Sequence, residues 1–292
     1  MNTQKIIRAG QIASQVRTFA EKLVKSNMPL LEIAEKIESK IVELGGEPAF
    51  PTNLSINEIA AHYTPSYNDE TLASGLLKVD LGVHIEGEIA DTAFSVDLEN
   101  NEENKKLIEA SKDALDSVLK IAKEKINLSE IGKEVEKIIA SRGFSPVINL
   151  SGHSLENYEL HAGITIPNVD DNKKIVLKKG AYAIEPFATN GSGKVHDGKP
   201  SGIYQVINER MPRSPQAREI LDFIIDTYQT LPFCSRWIYK EFGIKGLFAL
   251  KQLEDNENVH QFAQLVESQG SKVSQAEHTI LVTDKEIKVT TK

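Results

Sequence analysis

The chain has 292 residues, of which 40% are hydrophobic and 26% charged. That is close to the globular average and long enough for one large domain or two smaller ones, which excludes a disordered or fibrous chain. Its 34 basic and 42 acidic residues leave a net charge of −8, which repels a phosphate backbone and argues against nucleic acid as the substrate.

The polar start MNTQKIIRAGQ lacks the apolar stretch of a signal peptide, and no segment reaches the roughly 18 uncharged apolar residues of a membrane span. The single cysteine, Cys234, cannot form an internal disulfide. A reducing cytoplasmic setting without a membrane is therefore expected, with any metal site built from histidine and carboxylates. The pairs Lys105-Lys106, Lys173-Lys174 and Lys178-Lys179 read as solvated surface.

Residues 4–25 place Ala9, Ala13, Val16, Ala20 and Leu23 at helical spacing. Residues 30–44 do the same with Ile33, Ile37, Ile41 and Leu44, until Gly45-Gly46 stops the helix. The run LLKVDLGVHI (76–85) and the run IADTAFSVD (89–97) flank Glu86-Gly87, which reads as a hairpin turn. Residues 102–125 and 129–142 form a second helical pair ended by Gly143. GAYAIEPFA (180–188) and VSQAEHTILVT (273–283) read as further strands. Between them, residues 201–262 change character: Pro212 and Pro215 precede a helical run and then the aromatic-rich PFCSRWIYKEF. This is expected to be an inserted helical subdomain, leaving residues 1–200 and 263–292 as the main domain.

The two halves look alike. At an offset of 98, Glu32, Ile33, Ile37, Glu38, Ile41 and Gly45 meet Glu130, Ile131, Val135, Glu136, Ile139 and Gly143; at 99, His62 meets His161. Two amphipathic helical pairs could produce this by chance, or the chain is duplicated with a site between its halves.

If Glu86-Gly87 is a two-residue turn, paired residues sum to 173, so Asp91 lies opposite Gly82 and Asp80 becomes its diagonal neighbour on the same face. Two anions pressed together in apolar strands repel unless a cation neutralises them. The bland alternative turns each aspartate to solvent. Glu185 sits in the apolar AYAIEPF and Glu277 just before HTILV; one such acid is more often salt-bridged than ligating, but four are harder to place without a metal. His62, His153 and His161 sit in loop-like settings, His84 is either packed or outward, and His196, His260 and His278 read as surface or supporting residues. Several carboxylates with one imidazole suit Mn, Fe or Co at least as well as Zn. No HExxH, GxxxxGK[ST] or GxSxG pattern occurs, and GSGK at 191–194 lacks the phosphate-loop frame.

Five motifs taken together, PAFPTNLSINEIAAHYTP (48–65), KVDLGVHIEGEIADTAFSVD (78–97), NLSGHSLENYELHAG (149–163), YAIEPFATNGSG (182–193) and SQAEHTILV (274–282), resemble those of type II methionine aminopeptidases in order and spacing over nearly the whole chain. The short start resembles the archaeal form. The resemblance implies an α+β, pseudo-twofold pita-bread (creatinase/aminopeptidase) fold and an enzyme that removes the initiator methionine from nascent polypeptides with a small second residue. It further implies two divalent metal ions (Co, Mn, Fe or Zn) held by Asp80, Asp91, His153, Glu185 and Glu277, with Asp91 and Glu277 bridging and Glu185 as proton shuttle. His62 and His161 would hold substrate on the opposite wall. Phe50, Leu160, Phe187 and Phe262 are candidates for the methionine slot, against ordinary core packing. FAQLVE departs from the aromatic-proline element common around Phe262. A transient ribosome contact is compatible with this reading. A prolidase or aminopeptidase P would share the five ligands but carries an extra N-terminal domain. A non-catalytic ribosome- or RNA-binding relative would have lost ligands that this chain keeps.

Overall fold

The computed structural model describes residues 1–292. Its first half runs α1 (Thr3–Leu23), α2 (Leu30–Glu43), β1 (Glu47–Ile56), β2 (Ile59–Ala61), β3 (Leu76–Ile85) and β4 (Glu88–Asp97). The second begins with α3 (Glu102–Ile121) and α4 (Leu128–Ser141) and continues with β5 (Ser145–Pro146), β6 (Ser151–Leu155), β7 (Thr165–Pro167), β8 (Gly180–Ile184) and β9 (Phe187–Thr189). Then come β10 (His196–Val206), α5 (Pro215–Tyr228), β11 (Phe233–Cys234), α6 (Ser235–Asp255), β12 (Val259–Val266), β13 (Val273–Gln275), β14 (His278–Val282) and β15 (Ile287–Val289).

Each of the four long helices of the two halves has one end set by a sequence signal. Asn2 and Asn101 cap α1 and α3, each side chain accepting from two backbone N–H groups of the first turn. Gly45 and Gly143 follow α2 and α4 with φ of 81° and 82°, a conformation glycine adopts without steric cost. The apolar faces of α1 and α2 bury against β3 and β4 in one core, and those of α3 and α4 against β8 and β14 in another.

The offset of 98 seen in the sequence recurs in the donors of matching hydrogen bonds, whose acceptors across the longer loop are offset by 104. Asn27 N donates to Ala73 O and Lys125 N to Leu177 O; Leu30 N donates to Thr71 O and Leu128 N to Ile175 O. Gly46 N donates to Ile41 O as Phe144 N does to Ile139 O. Chance matching of amphipathic patterns does not reproduce the same loop and turn hydrogen bonds in the same order, so internal duplication is the better account.

The hairpin of β3 and β4 has the expected register, with Gly82 opposite Asp91 and Leu76 opposite Asp97. Glu86 and Gly87 both have positive φ (48° and 82°), as a two-residue hairpin turn requires. Two other expectations need correction. The runs 180–188 and 273–283 are not single strands: the first breaks between β8 and β9 at Glu185-Pro186, the second between β13 and β14 at Ala276-Glu277. Proline has no N–H for a ladder, and β8 pairs with β14 while β9 pairs with β13, so both strands cross from one sheet to another at the same level. Nor is the insertion purely helical. It grows from β10 and β12, which pair with each other and join β2 in one sheet, while α5 and α6 enclose a separate apolar core. The boundaries proposed at 200/201 and 262/263 fall inside those two strands.

The insertion is tied to the first half by a buried ion pair. Arg236, at the start of α6, donates to both carboxylate oxygens of Glu38 on α2 at 2.7 and 2.8 Å. Trp237 Nε1 and Thr52 N donate to the same carboxylate, and Arg236 Nε donates to Pro65 O. Arg236→Met strands a buried anion, so a loss of about 3–5 kcal/mol is expected in denaturant unfolding. Arg236→Met combined with Glu38→Met should recover much of it. A loss under about 1 kcal/mol would class the pair with exposed ones.

Candidate active site

The seam between the halves is stitched by side chains rather than a strand ladder. Thr279 Oγ1 accepts from Asp91 N and donates to Asp91 O, both at 2.8 Å. Thr92 Oγ1 donates to Glu277 O at 2.9 Å, and Glu277 N donates to Ala93 O at 2.9 Å. Arg17, from α1, lies behind this seam and donates to Thr92 Oγ1, Ala93 O and Glu277 O. These bonds set Asp91 of one half beside Glu277 of the other. The breaks after β8 and β13 release Glu185 and Glu277 from the ladders into the same space.

All eleven candidate residues (Asp80, Asp91, His153, Glu185, Glu277, His62, His161, Phe50, Leu160, Phe187 and Phe262) line one cavity of about 350 Å³. On its floor, ligating atoms of Asp91, His153 and Glu277 lie within 4.8 Å of one another. His153 Nε2 is 3.8 Å from Asp91 Oδ2 and 3.6 Å from Glu185 Oε1. His153 is on β6, not in a loop as its setting suggested. Gly82, opposite both Phe50 and Asp91, leaves room for the Phe50 ring; a Cβ there would collide with it. Phe262 stands edge-on to His62 with ring centroids 5.6 Å apart.

The electrostatics are those of acids held apart from water. Burial raises Asp80 to about 7. Asp91, Glu185 and Glu277 are pushed well above the carboxylate range by burial and then by the charge of neighbouring acids, Asp80 first for Asp91 and Glu185 and Asp91 first for Glu277, with Arg17 opposing the rise at Glu277. Burial, and then His161, lower His153 to about 3 and His62 to about 4, so both rings are neutral. His62 Nδ1 faces Ala263 O at 3.3 Å. A carbonyl only accepts, so Nδ1 carries the hydrogen and Nε2 presents a lone pair. His161 packs edge-on to His153 with centroids 4.6 Å apart.

The residues fit a divalent metal. Asp80 Oδ1, Asp91 Oδ1 and Glu277 Oε2 are buried acceptors without a protein donor, which is costly unless a cation satisfies them. A neutral imidazole among oxygen donors completes a set suited to Mn, Fe, Co or Zn.

Of the remaining histidines, His84 is packed, 4% exposed, accepting at Nδ1 from Gly87 N, and His278 is bonded to Thr291 Oγ1. His196 and His260 are exposed. Sequence reasoning missed Gln275, whose side chain touches two of the acids, and Asn53, paired with Asp80 across β1 and β3. It also missed Ile203 and Pro232, through which the insertion walls the cavity. Gln275 stood in plain view in SQAEH, a neutral polar residue two places before an acid in an apolar run.

Residues 4–284 match metallopeptidase family M24. The chain is 48% identical over 292 residues to the methionine aminopeptidase of Methanocaldococcus jannaschii, spanning 99% of this chain and 98% of that one. It is 47% identical to the methionine aminopeptidase of Pyrococcus horikoshii over the full length of both. Among solved structures, the methionine aminopeptidase of Thermotoga maritima shares the fold at a TM-score of 0.72 and 21% identity, covering 100% of this chain and 98% of its own. The chain thus belongs to metallopeptidase family M24, with methionine aminopeptidases as its full-length relatives.

Proposed function

We propose that the chain is a metal-dependent methionine aminopeptidase of the type II kind, removing the initiator methionine from nascent polypeptides whose second residue is small. The observation that carries this is the convergence of four carboxylates, Asp91 and Glu277 buried and Asp80 and Glu185 half-buried, and a neutral imidazole, drawn from both halves, on the floor of a cavity with apolar walls. End-to-end identity with methionine aminopeptidases favours this reading over a prolidase or a non-catalytic relative.

We assign two divalent ions to the floor, of Co, Mn, Fe or Zn. Asp91 and Glu277 would be shared, Asp80 would complete one shell, and His153 with Glu185 the other. Bound there, such ions lower the pKa of water and polarise a carbonyl. The protein's own groups do the rest. Glu185, beside the position of that water, would take a proton from it and return it to the leaving amine. His62, with Nε2 as acceptor, holds a substrate N–H, and His161 donates to the developing oxyanion. Phe50, Leu160, Phe187 and Phe262 form the methionine slot.

The main test is release of free methionine from Met-Ala-Ser, abolished by chelator and restored by divalent metal. Turnover that survives metal removal would sink the mechanism. Peptides beginning Met-Gly, Met-Ala or Met-Ser should be cleaved at least about 100-fold faster than Met-Lys or Met-Glu, because a bulky second side chain displaces the scissile carbonyl by about 1 Å. Equal rates would show an open wall.

No helix is long and apolar enough to cross a membrane. We place the reaction in the cytoplasm, where new chains emerge, with a transient ribosome contact that co-sedimentation with ribosomes would detect.

A further inference from the structure

We propose that Gln275 is a positioning residue for the metal centre: its one side-chain amide group spans the two halves and selects which oxygens Asp80 and Glu185 present to the ions. The inference rests on the metal-centre reading above. Gln275 Nε2 donates to Asp80 Oδ2 at 3.2 Å and to Glu185 Oε2 at 3.3 Å. Asp80 belongs to β3 of the first half, and Glu185 stands at the break after β8 of the second. Both hydrogens of the amide are thereby used, one on each carboxylate. What remains is Asp80 Oδ1, buried without a protein donor, and Glu185 Oε1, 3.6 Å from His153 Nε2. These are the oxygens turned toward the floor of the cavity.

The clamp is itself held rigidly. Gln275 is 1% exposed and pairs with Phe187 in the ladder of β13 and β9. Ser95 Oγ donates to its carbonyl and accepts from its N–H, each at 2.8 Å, fixing it to β4. An amide has no proton to lose, so it donates whatever the pH, and it adds no charge to an already acidic cluster. A lysine in its place would compete with the metal for the carboxylates, and a carboxylate would add a fifth anion.

Two variants separate positioning from simple structural support. Gln275→Met keeps length and removes the donors; Gln275→Glu keeps shape and replaces donors by acceptors. Mn²⁺ is titrated calorimetrically into metal-free native and variant proteins, metal-free thermal unfolding is recorded, and kcat and KM are separated on Met-Ala-Ser. Each variant is expected to bind Mn²⁺ about 10–100-fold more weakly, the range found when groups that orient metal ligands are lost. At limiting Mn²⁺, kcat should fall with KM nearly unchanged, and excess Mn²⁺ should restore much of the kcat of Gln275→Met. Native-like Mn²⁺ affinity in both variants would overturn the inference, whether activity then falls through altered second-residue preference or through a lowered metal-free unfolding midpoint. Failure of the native protein to bind Mn²⁺ would overturn the metal centre as well. Native binding with unaffected variants would overturn only the role of Gln275.

Discussion

His153→Ala is expected to lower methionine release from Met-Ala-Ser by about 10³-fold or more while leaving the protein folded. His153 is the one nitrogen donor on the cavity floor, and its ring faces Asp91 and Glu185 at 3.8 and 3.6 Å. Its backbone belongs to β6, paired with β7 and β8, so the strand does not depend on the ring. The ring is neutral, so alanine removes no charge balance from the metal-free protein. What it would remove, on the proposed ligand set, is a ligand, and with it several kcal/mol of transition-state stabilisation; each 1.36 kcal/mol is about tenfold in rate. Circular dichroism and metal content measured beside the assay distinguish the outcomes. Unchanged spectra with diminished metal are expected. A rate within about tenfold of native, with full metal content, would remove His153 from the ligand set.

How much of this was legible in the sequence depended on whether a local rule was decisive. The Asp80–Asp91 neighbourhood was readable because a two-residue turn at Glu86-Gly87 leaves one register, and a slip of one residue would turn both acids to the other face. The helix ends at Gly45 and Gly143 were readable for similar reasons. The strand breaks at Glu185-Pro186 and Ala276-Glu277 were not: Pro186 is a local signal for the first alone, and both breaks are fixed by the place where two sheets meet. β1 carries Pro48 and Pro51, which argue against a strand; register shifts on either side of Phe50 accommodate them. β12 was hidden inside a segment whose strongest periodicity is helical. The placing of Asp91 beside Glu277 across the seam, by Thr92, Thr279 and Arg17, is long-range and has no local signature. For that reason the assignment of ligand roles came through the family resemblance, while the clamp formed by Gln275 came only from the geometry.

Asp91→Asn should move stability and activity in opposite directions. Asp91 and Glu277 are 3% and 1% exposed, and Asp80 and Glu185 share the same floor. In metal-free protein these four acids either face one another ionised or take up protons. Both states are less favourable than four solvated carboxylates in the unfolded chain, so the metal-free fold carries the difference. Asparagine at 91 keeps the shape, removes one anion from the centre of the cluster and can donate to a neighbouring carboxylate. Metal-free Asp91→Asn is therefore expected to be about 1–3 kcal/mol more stable than metal-free native protein at neutral pH, the scale on which replacing buried charges stabilises folds. At this chain length that corresponds to a rise in melting temperature of roughly 2–4 °C per kcal/mol. Added Mn²⁺ should reverse the order. Native protein gains about 2.7 kcal/mol when metal is present at 100 times its dissociation constant, and the variant, without one shared ligand, gains little. Methionine release by the variant should fall by about 10³-fold or more even in excess metal. Thermal unfolding of both proteins, with chelator and with Mn²⁺, reads all of this in one experiment. If metal-free Asp91→Asn melted below metal-free native protein, the acids would be held together by something other than a waiting cation, and the assignment of Asp91 as a shared ligand would fall.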